Sequence, residues 1–507
     1  LRENTEDSTK EIKPLFMPHG SFLPSRAIVA VPNNYTLTKV RDMVDSIRRT
    51  KQFKEIHYLY EAEGVMMSYL RINWKNLKMK QNKTFIVFDM GGATINVTAF
   101  RIKVNQEVTT KGNKFTRDID VSTVSKVGYC VGGDDIDFAI MQILYQIPQI
   151  RNAFKGDNKA IWEHQVKYKP SVLKYVEELK LAFIDKENDQ MKSGNMFINK
   201  ETLWSSITKK FSEWGIRVTT EVNESGDIVV PNDFWDYIQL ELSEHKTMKY
   251  YVFDKVQDAV MELMNNTICN SEIELILSGR STLYPGIEKS VLEEIKNSKY
   301  NCTCSDRWHG FDKEGTTILD ADKVKTAVVE GACWYALWSG RINMRHDLVT
   351  STFGYIDMVN DQATFIPVVK KNMNFDQNGK KKVIVDIKDP ELKNVKFIQM
   401  LGTNYSEILK KDIKYKKNPL VEVTANDING VLEKVQIEVD DKNNFAYQLK
   451  IAGHEPLTGH YEAADTDIMD ENSKAYAFAA IRSKKRPEIT QFNRSQSKKK
   501  SHKGGGL

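Results

Sequence analysis

Residues 88–96 read "FDMGGATIN". An acidic residue, two glycines, an alanine and a hydroxyl follow one another in a single turn, between the apolar "TFIV" and the alternating "VTAFRI". These residue types suit an anion cradle. Successive backbone N–H groups of Gly91, Gly92 and Ala93 can point at one phosphate, Thr94 can donate its hydroxyl to it, and Asp89 can hold a hydrated Mg2+ beside it. The same residues also make an ordinary hairpin reversal, since glycine-rich turns are common without any ligand. The turn alone leaves both readings open.

Other short stretches carry similar ambiguity. Glu61 in "LYEAEG" is a carboxylate that can place a water, or an acid favoured by the N-terminal dipole of a helix. Gly132, Gly133 and Asp134 in "KVGYCVGGDD" form a second Gly-Gly-acidic turn, which approaches a ligand or simply leads the chain into a helix. Glu177 and Lys180 stand three residues apart, as a surface pair on a helix would. Gly279 and Ser281 lie in "LSGRST", and Pro32 closes the apolar "RAIVAVP". The five cysteines include "CTC" at 302–304, which lacks the second pair that a zinc site needs, so reduced, mostly structural thiols are expected.

The elements that must position these residues alternate between strand and helix. "RAIVAVP" reads as a strand ended by Pro32. It is followed by a helix in which Val40, Met43, Val44 and Ile47 recur at helical spacing, with Thr36 or Thr38 able to cap it. "EIHYLY" is a strand and "EAEGVMMSYL" a helix. "TFIVFD" has the unbroken apolar run of a strand buried on both faces. After "VGGDD" a helix carries Ile136, Ala139, Ile140, Ile143 and Leu144 on one face. "SVLKYVEELKLAFI" buries Val172, Val176, Leu179 and Phe183, and Gly331 and Ala332 let the helix "DKVKTAVVEGACWYALW" approach a neighbour closely. This alternation is α/β organisation. Beyond residue 346 the pattern becomes alternating, and "VQIEVDDKNNFAYQLKI" sets Val435, Ile437 and Val439 opposite Phe445, Tyr447, Leu449 and Ile451 across a turn.

With 507 residues, 41% hydrophobic and 28% charged, the chain is long enough for two or three buried cores, and no apolar stretch is long enough to span a membrane. The formal charge of +5 belongs to the C-terminal end: residues 482–503 hold nine Lys or Arg against one Glu, which leaves the remainder at about minus three. That tail is expected to be disordered. It offers only Phe492 as an aromatic, so nucleic acid is at most a weak partner for it, and a solvating role is the simpler reading.

In their order, "VAVPNNYTLTKVRDMVDSI", "LYEAEGVMMSYL", "FDMGGATINV", "VGGDDIDFAI", "VEELKLAFI", "LSGRSTLYPGI" and "AVVEGACWYAL" resemble the nucleotide-binding domain of the seventy-kilodalton heat-shock chaperone family, within the actin-like ATPase superfamily. The resemblance covers about residues 25–345. It implies an actin-like ATPase (ribonuclease H-like) α/β fold and ATP with Mg2+ as ligands. Asp89 then matches the carboxylate near the metal and the attacking water, Thr94 the hydroxyl facing the γ-phosphate, Gly91, Gly92 and Ala93 the backbone cradle, and Glu61 the glutamate that helps place the water. Gly132, Gly133 and Asp134 resemble the turn approaching from the other lobe. Glu177 and Lys180 resemble the pair that meets the adenosine, with Gly279 and Ser281 as its other wall. Pro32 falls where the family has a proline implicated in signalling between domains.

The sequence also departs from the family. Its first Gly-Thr-Thr phosphate loop has no counterpart here, so the first lobe is expected to be N-terminally incomplete. Asn96 stands where the family has an acid, Leu181 and Leu283 where arginines flank the adenine, and Arg280 where it has a glycine. The expected domains are a polar lead-in (1–24), the incomplete nucleotide-binding domain (25–345), a β-rich domain where the family carries its peptide-binding sandwich (346–455), and a helical fragment with a basic disordered tail (456–507). The expected protein is cytoplasmic and chaperone-like. It hydrolyses ATP slowly to switch the β-rich domain, with unfolded or extended polypeptides as clients and co-chaperones as partners. The alternative is a catalytically inactive pseudo-ATPase that serves as a scaffold.

Overall fold

The buried run "TFIVFDM" forms β3 (Thr84–Met90), and all seven of its residues are buried. Its side chains alternate between two cores. Ile86, Phe88 and Met90 enter one hydrophobic cluster, and Phe85 and Val87 enter another on the opposite face of the sheet. A strand covered on both faces needs no polar alternation, which is why the sequence shows none there.

The computed structural model describes residues 26–461 apart from internal stretches, the longest of which are 74–83, 188–199, 239–245, 312–316 and 402–418. The expected lead-in and nearly all of the expected tail lie outside the described residues. The described elements form a mixed α/β structure.

β1 (Arg26–Val31), α1 (Leu37–Arg49) and β2 (Glu55–Tyr60) make a unit in which β1 and β2 pair in parallel. Thr36 caps α1 through Lys39, and Leu37, Val40 and Val44 are buried. Met43, expected in the same stripe, is 37% exposed. α2 (Glu61–Asn73) follows directly. β3, β4 (Ile95–Thr110) and β5 (Lys114–Tyr129) then form an antiparallel meander. Four helices come next: α3 (Gly133–Gln146), α4 (Pro148–Ala153), α5 (Asn158–Glu187) and α6 (Lys200–Glu213). α5 begins well before the expected start and carries Pro170 in its interior; its ring removes one helical hydrogen bond, that to Val166. Val166 is 55% exposed, so water reaches that side of the helix.

Beyond α7 (Asp254–Asn265), β6 (Glu272–Ser278) adds to β3 in parallel; α8 (Ile287–Asn297) leads to β7 (Asn301–Cys304), which adds in parallel to β6. A small hairpin, β8 (His309–Phe311) with β9 (Thr317–Leu319), precedes α9 (Ala321–Trp338). β10 (Ile342–His346) pairs in parallel with β5, giving the order β10-β5-β4-β3-β6-β7. Helices α3, α5, α6, α7 and α8 supply the cluster on one face, and α2 and α9 the one on the other. The close approach expected at Gly331 is made to α2: a Cβ there would stand 1.6 Å from the carbonyl oxygen of Gly64. Only glycine fits such a crossing.

The remaining strands form two four-stranded sheets. β11 (Thr352–Val359), β12 (Gln362–Val369), β14 (Val395–Met400) and β15 (Val421–Val423) make one, in the order β12-β11-β14-β15. β13 (Lys380–Asp386), β16 (Leu432–Asp440), β17 (Phe445–Ile451) and β18 (Leu457–Tyr461) make the other, in the order β13-β16-β17-β18. Val439, Ile437 and Val435 stand opposite Phe445, Tyr447 and Leu449, as the alternation implies. Residues 457–461, inside the segment read as a helical fragment, pair with β17 instead, and Tyr461 is buried. Phe353, Phe397 and Phe445 share one hydrophobic cluster with Val31, Leu37, Val40 and Val44, so this sandwich packs against the β1-α1-β2 unit. Leu37 N donates to Gln399 Oε1 at 2.7 Å across that contact.

Candidate functional site

Period-two alternation along β3 sends Asp89 to the same face as Phe85 and Val87, the face covered by α2. Register then places two polar residues beside it: Asn96 in β4 and Ser278 in β6 are both its direct partners. Asp89 is 5% exposed, and burial raises its pKa, with the side chains of Ser278 and Asn96 opposing the rise. Glu61, the first residue of α2, completes the group. Asn96 Nδ2 donates to Glu61 Oε2 at 2.6 Å and makes a long contact of 3.4 Å to Thr94 Oγ1. Burial, reinforced by the charge of Asp89 and opposed by Asn96, pushes Glu61 up to about 7. Two carboxyls thus share one desolvated corner, and one of them titrates near neutrality, as a general acid or base requires.

The amide that bridges them is itself fixed. Asn96 Oδ1 accepts from Asn33 N at 2.7 Å, and Asn33 Nδ2 donates to Val97 O, Thr98 Oγ1 and Val127 O at 3.2, 2.9 and 3.0 Å. The residue after Pro32 therefore pins the end of β1 onto β4 and β5. Sequence reasoning missed Asn33, and treated Asn96 only as a departure from an acid.

Three glycine turns meet at this end of the sheet. Gly91 N donates to Thr94 O, closing the β3–β4 reversal. Gly133 N and Asp134 N at the start of α3 donate to the carbonyls of Gly91 and Gly92 at 2.9 and 2.8 Å, and Ser281 Oγ donates to Gly91 O at 2.8 Å. A Cβ on Gly132 would lie 2.4 Å from Gly92 O, and one on Gly279, whose φ is +81°, would lie 2.2 Å from Met90 O. The turns therefore brace one another, and the α3 amides of Gly133 and Asp134 are committed to protein carbonyls. Gly92 and Ala93 are exposed, and among the described residues no acceptor takes their N–H groups.

Lys180 reaches this cluster from α5. Its Nζ lies 2.8 Å from Asp137 Oδ2 and 3.4 Å from Gly133 O, with both side chains of the ion pair 14% exposed. Asp137 was not foreseen; it sits one turn into α3, 43 residues from its partner. Glu177 is exposed on α5 and Asp134 on α3. The charges of both act on Asp137, and the Asp134 carboxylate flanks the turn, its Oδ1 3.7 Å from where a Cβ on Gly92 would stand. Leu181 is 45% exposed, whereas Leu283 is 9% exposed.

The structure thus brings together Asp89, Glu61, Thr94, the turn of Gly91, Gly92 and Ala93, Gly132, Gly133, Asp134, Ser281, Gly279 and Lys180, with Glu177 exposed at the rim. Among the described residues, no group of three or more His, Cys, Asp or Glu is placed to hold a metal ion, and no helix is long and apolar enough to cross a membrane. No protein-family model and no curated protein matches this sequence.

Proposed function

We propose that this chain is an ATP-binding, chaperone-like protein of the actin-like ATPase superfamily, whose slow hydrolysis of ATP switches the β-sandwich toward extended polypeptide clients. The observation that carries the reading is the buried Asp89–Glu61 pair, bridged by Asn96 at the edge of an exposed Gly-Gly-Ala-Thr turn. The strand order supports it: the large sheet holds an antiparallel meander with two parallel strands added beside its first strand, as a ribonuclease H-like reading calls for.

The residues fit a phosphate and a hydrated cation. Gly92 and Ala93 offer exposed, unpaired N–H groups, the bare Cα atoms of Gly91 and Gly92 leave room for close approach, and Thr94 adds a hydroxyl. Asp89 would hold the Mg2+ through water. When bound, Mg2+ supplies positive charge that neutralises phosphate oxygens. Glu61, near pKa 7, accepts a proton from water at the edge of the turn, and Asn96 fixes the direction of its carboxylate. Catalysis of this kind rests on positioning and charge rather than on covalent chemistry. The sandwich presents β13 and β18 at the two ends of one sheet, a geometry that suits addition of an extended client strand.

The test measures Mg2+-ATP binding and turnover by the protein and by Asp89→Asn. Saturable binding with turnover that falls by about 100-fold or more in the variant is expected; a protein that binds no nucleotide would overturn the reading. Specific contacts favour a second reading, the inactive scaffold. Lys180 is already neutralised by Asp137, and the α3 amides are already bonded. Nucleotide binding without turnover would select that reading.

A further inference from the structure

Helix α5 has a buried side and an uncovered one. Val172, Tyr175, Val176 and Leu179 enter the core on one face of the large sheet. Toward the N-terminal end of the helix, the outward side carries Trp162, 62% exposed, and Val166, 55% exposed, and neither enters a hydrophobic cluster among the described residues. Lys159, Trp162, Val166 and Lys169 follow one another at intervals of three, four and three residues, so they share one stripe of the helix, with an ammonium at each end of an apolar pair. The charge around this stripe is one-sided. Residues 151–174 hold six Lys or Arg, all exposed, against Asp157 and Glu163, a surplus of four in a chain that sums to about minus three without its C-terminal tail. Glu163 lies 3.9 Å from Lys159, but with the two side chains 59% and 82% exposed that contact is too wet to neutralise the ammonium.

We infer that this stretch of α5 docks on an anionic lipid surface. Trp162 and Val166 enter the boundary between headgroups and acyl chains, while Lys159 and Lys169 lay their stems along the apolar side and raise their ammonium groups to the charged headgroups. An indole suits that boundary, because its ring is apolar and its N–H finds an acceptor on the wet side. Neither feature holds alone: one Trp and one Val bury little surface, and lysines attract a charged surface without gripping it, so lasting peripheral binding takes both. A second copy of the chain fits this face less well, since a self-complementary contact would set the basic patch against itself. Single-stranded nucleic acid also fits it less well, since bases stack on successive aromatic rings in a groove, and this stripe offers one ring beside a valine. The face is separate from the turn at 91–94 and does not depend on nucleotide binding.

The test sediments the full chain with phosphatidylcholine vesicles, either pure or containing about 30% phosphatidylserine. Binding is expected to the mixed vesicles and not to the pure ones, and the lipid concentration for half-binding should rise at least about tenfold in Trp162→Ser and in the double variant Lys159→Glu, Lys169→Glu. Val329→Ser, at a 64% exposed valine on α9, is the control and should bind as the parent does. Because the basic tail can attract the same vesicles, a second readout follows the ring itself: brominated acyl chains should quench tryptophan fluorescence of the parent on binding, and this quenching should disappear in Trp162→Ser. The inference is overturned if the mixed vesicles do not bind, or if they bind Trp162→Ser as tightly as the parent with no quenching in either, which would leave attraction by the tail alone. It is also overturned if Trp162→Ser weakens binding of a single-stranded oligonucleotide, or self-association, while vesicle binding stays unchanged.

Discussion

Replacing Glu61 with Gln isolates the energetic consequence of the acid pair. In the folded chain the Glu61 carboxyl moves from its ordinary 4.5 to about 7, mainly through burial. Between those two values the folded protein retains a proton that the unfolded chain has released, so stability falls as pH rises across the window and the penalty is complete above pH 7. A shift of this size, at about 1.4 kcal/mol per unit, corresponds to on the order of 3 kcal/mol, reduced by the water that still reaches the group. Glu61→Gln keeps the shape and an oxygen able to accept from Asn96 Nδ2, but it cannot ionise. Urea unfolding at pH 4.5 and at pH 8 should therefore show the two proteins nearly equal at the acid end. At the alkaline end the variant should be more stable by roughly 2–3 kcal/mol, with no change in denaturant slope. On the proposed reading, in which Glu61 accepts the proton, the same variant should also lose turnover. A stability difference that stays constant across this pH range would refute the placement of a desolvated, titrating carboxyl at this corner.

Two further substitutions probe the frame around the site. Gly331→Ala should destabilise by about 2–3 kcal/mol in thermal unfolding, although alanine is the better helix former by about 1 kcal/mol, because its Cβ would overlap the Gly64 carbonyl where α9 crosses α2. Asn33→Leu should cost about 2–4 kcal/mol in the same assay. The side chain is buried and its amide serves Val97 O, Thr98 Oγ1 and Val127 O, all of which lose their donor.

The parts of this structure legible in the sequence are those fixed by neighbours along the chain. The β3 run reads correctly because its burial on both faces leaves a local signature. The β16–β17 hairpin reads correctly because apolar alternation and a turn lie within one short stretch. Gly331 betrays a close crossing, but nothing near it points to Gly64 as the other side. Long-range polar partners leave no local trace. Asp137 neutralises Lys180 from 43 residues away, and Asn33 reaches β5 across 94. Residues 457–461 read as the start of a helical fragment because five residues are too few to show a period, and their strand exists only because β17 offers an open edge. The shared core of sandwich and β1-α1-β2 unit is the extreme case, since Leu37 and Gln399 stand 362 positions apart.

That shared core bears on how the acid pair can communicate. Glu61 is bonded to Asn96, and Asn96 to the backbone of Asn33; four residues later the backbone of Leu37 is bonded to Gln399 in β14. Between Asn33 and Leu37 the chain makes one tight turn, closed by Tyr35 N on Pro32 O at 3.0 Å, and then enters α1, whose buried face packs in the same cluster as Phe353, Phe397 and Phe445. A change in the direction or charge of the Glu61 carboxyl therefore has a contiguous path to the sandwich, made of hydrogen bonds and one helix. Contiguity alone transmits nothing; coupling needs an element on the path with two arrangements that each end can bias. The turn at residues 32–36 is the one backbone segment of this path that belongs to neither a strand nor a helix.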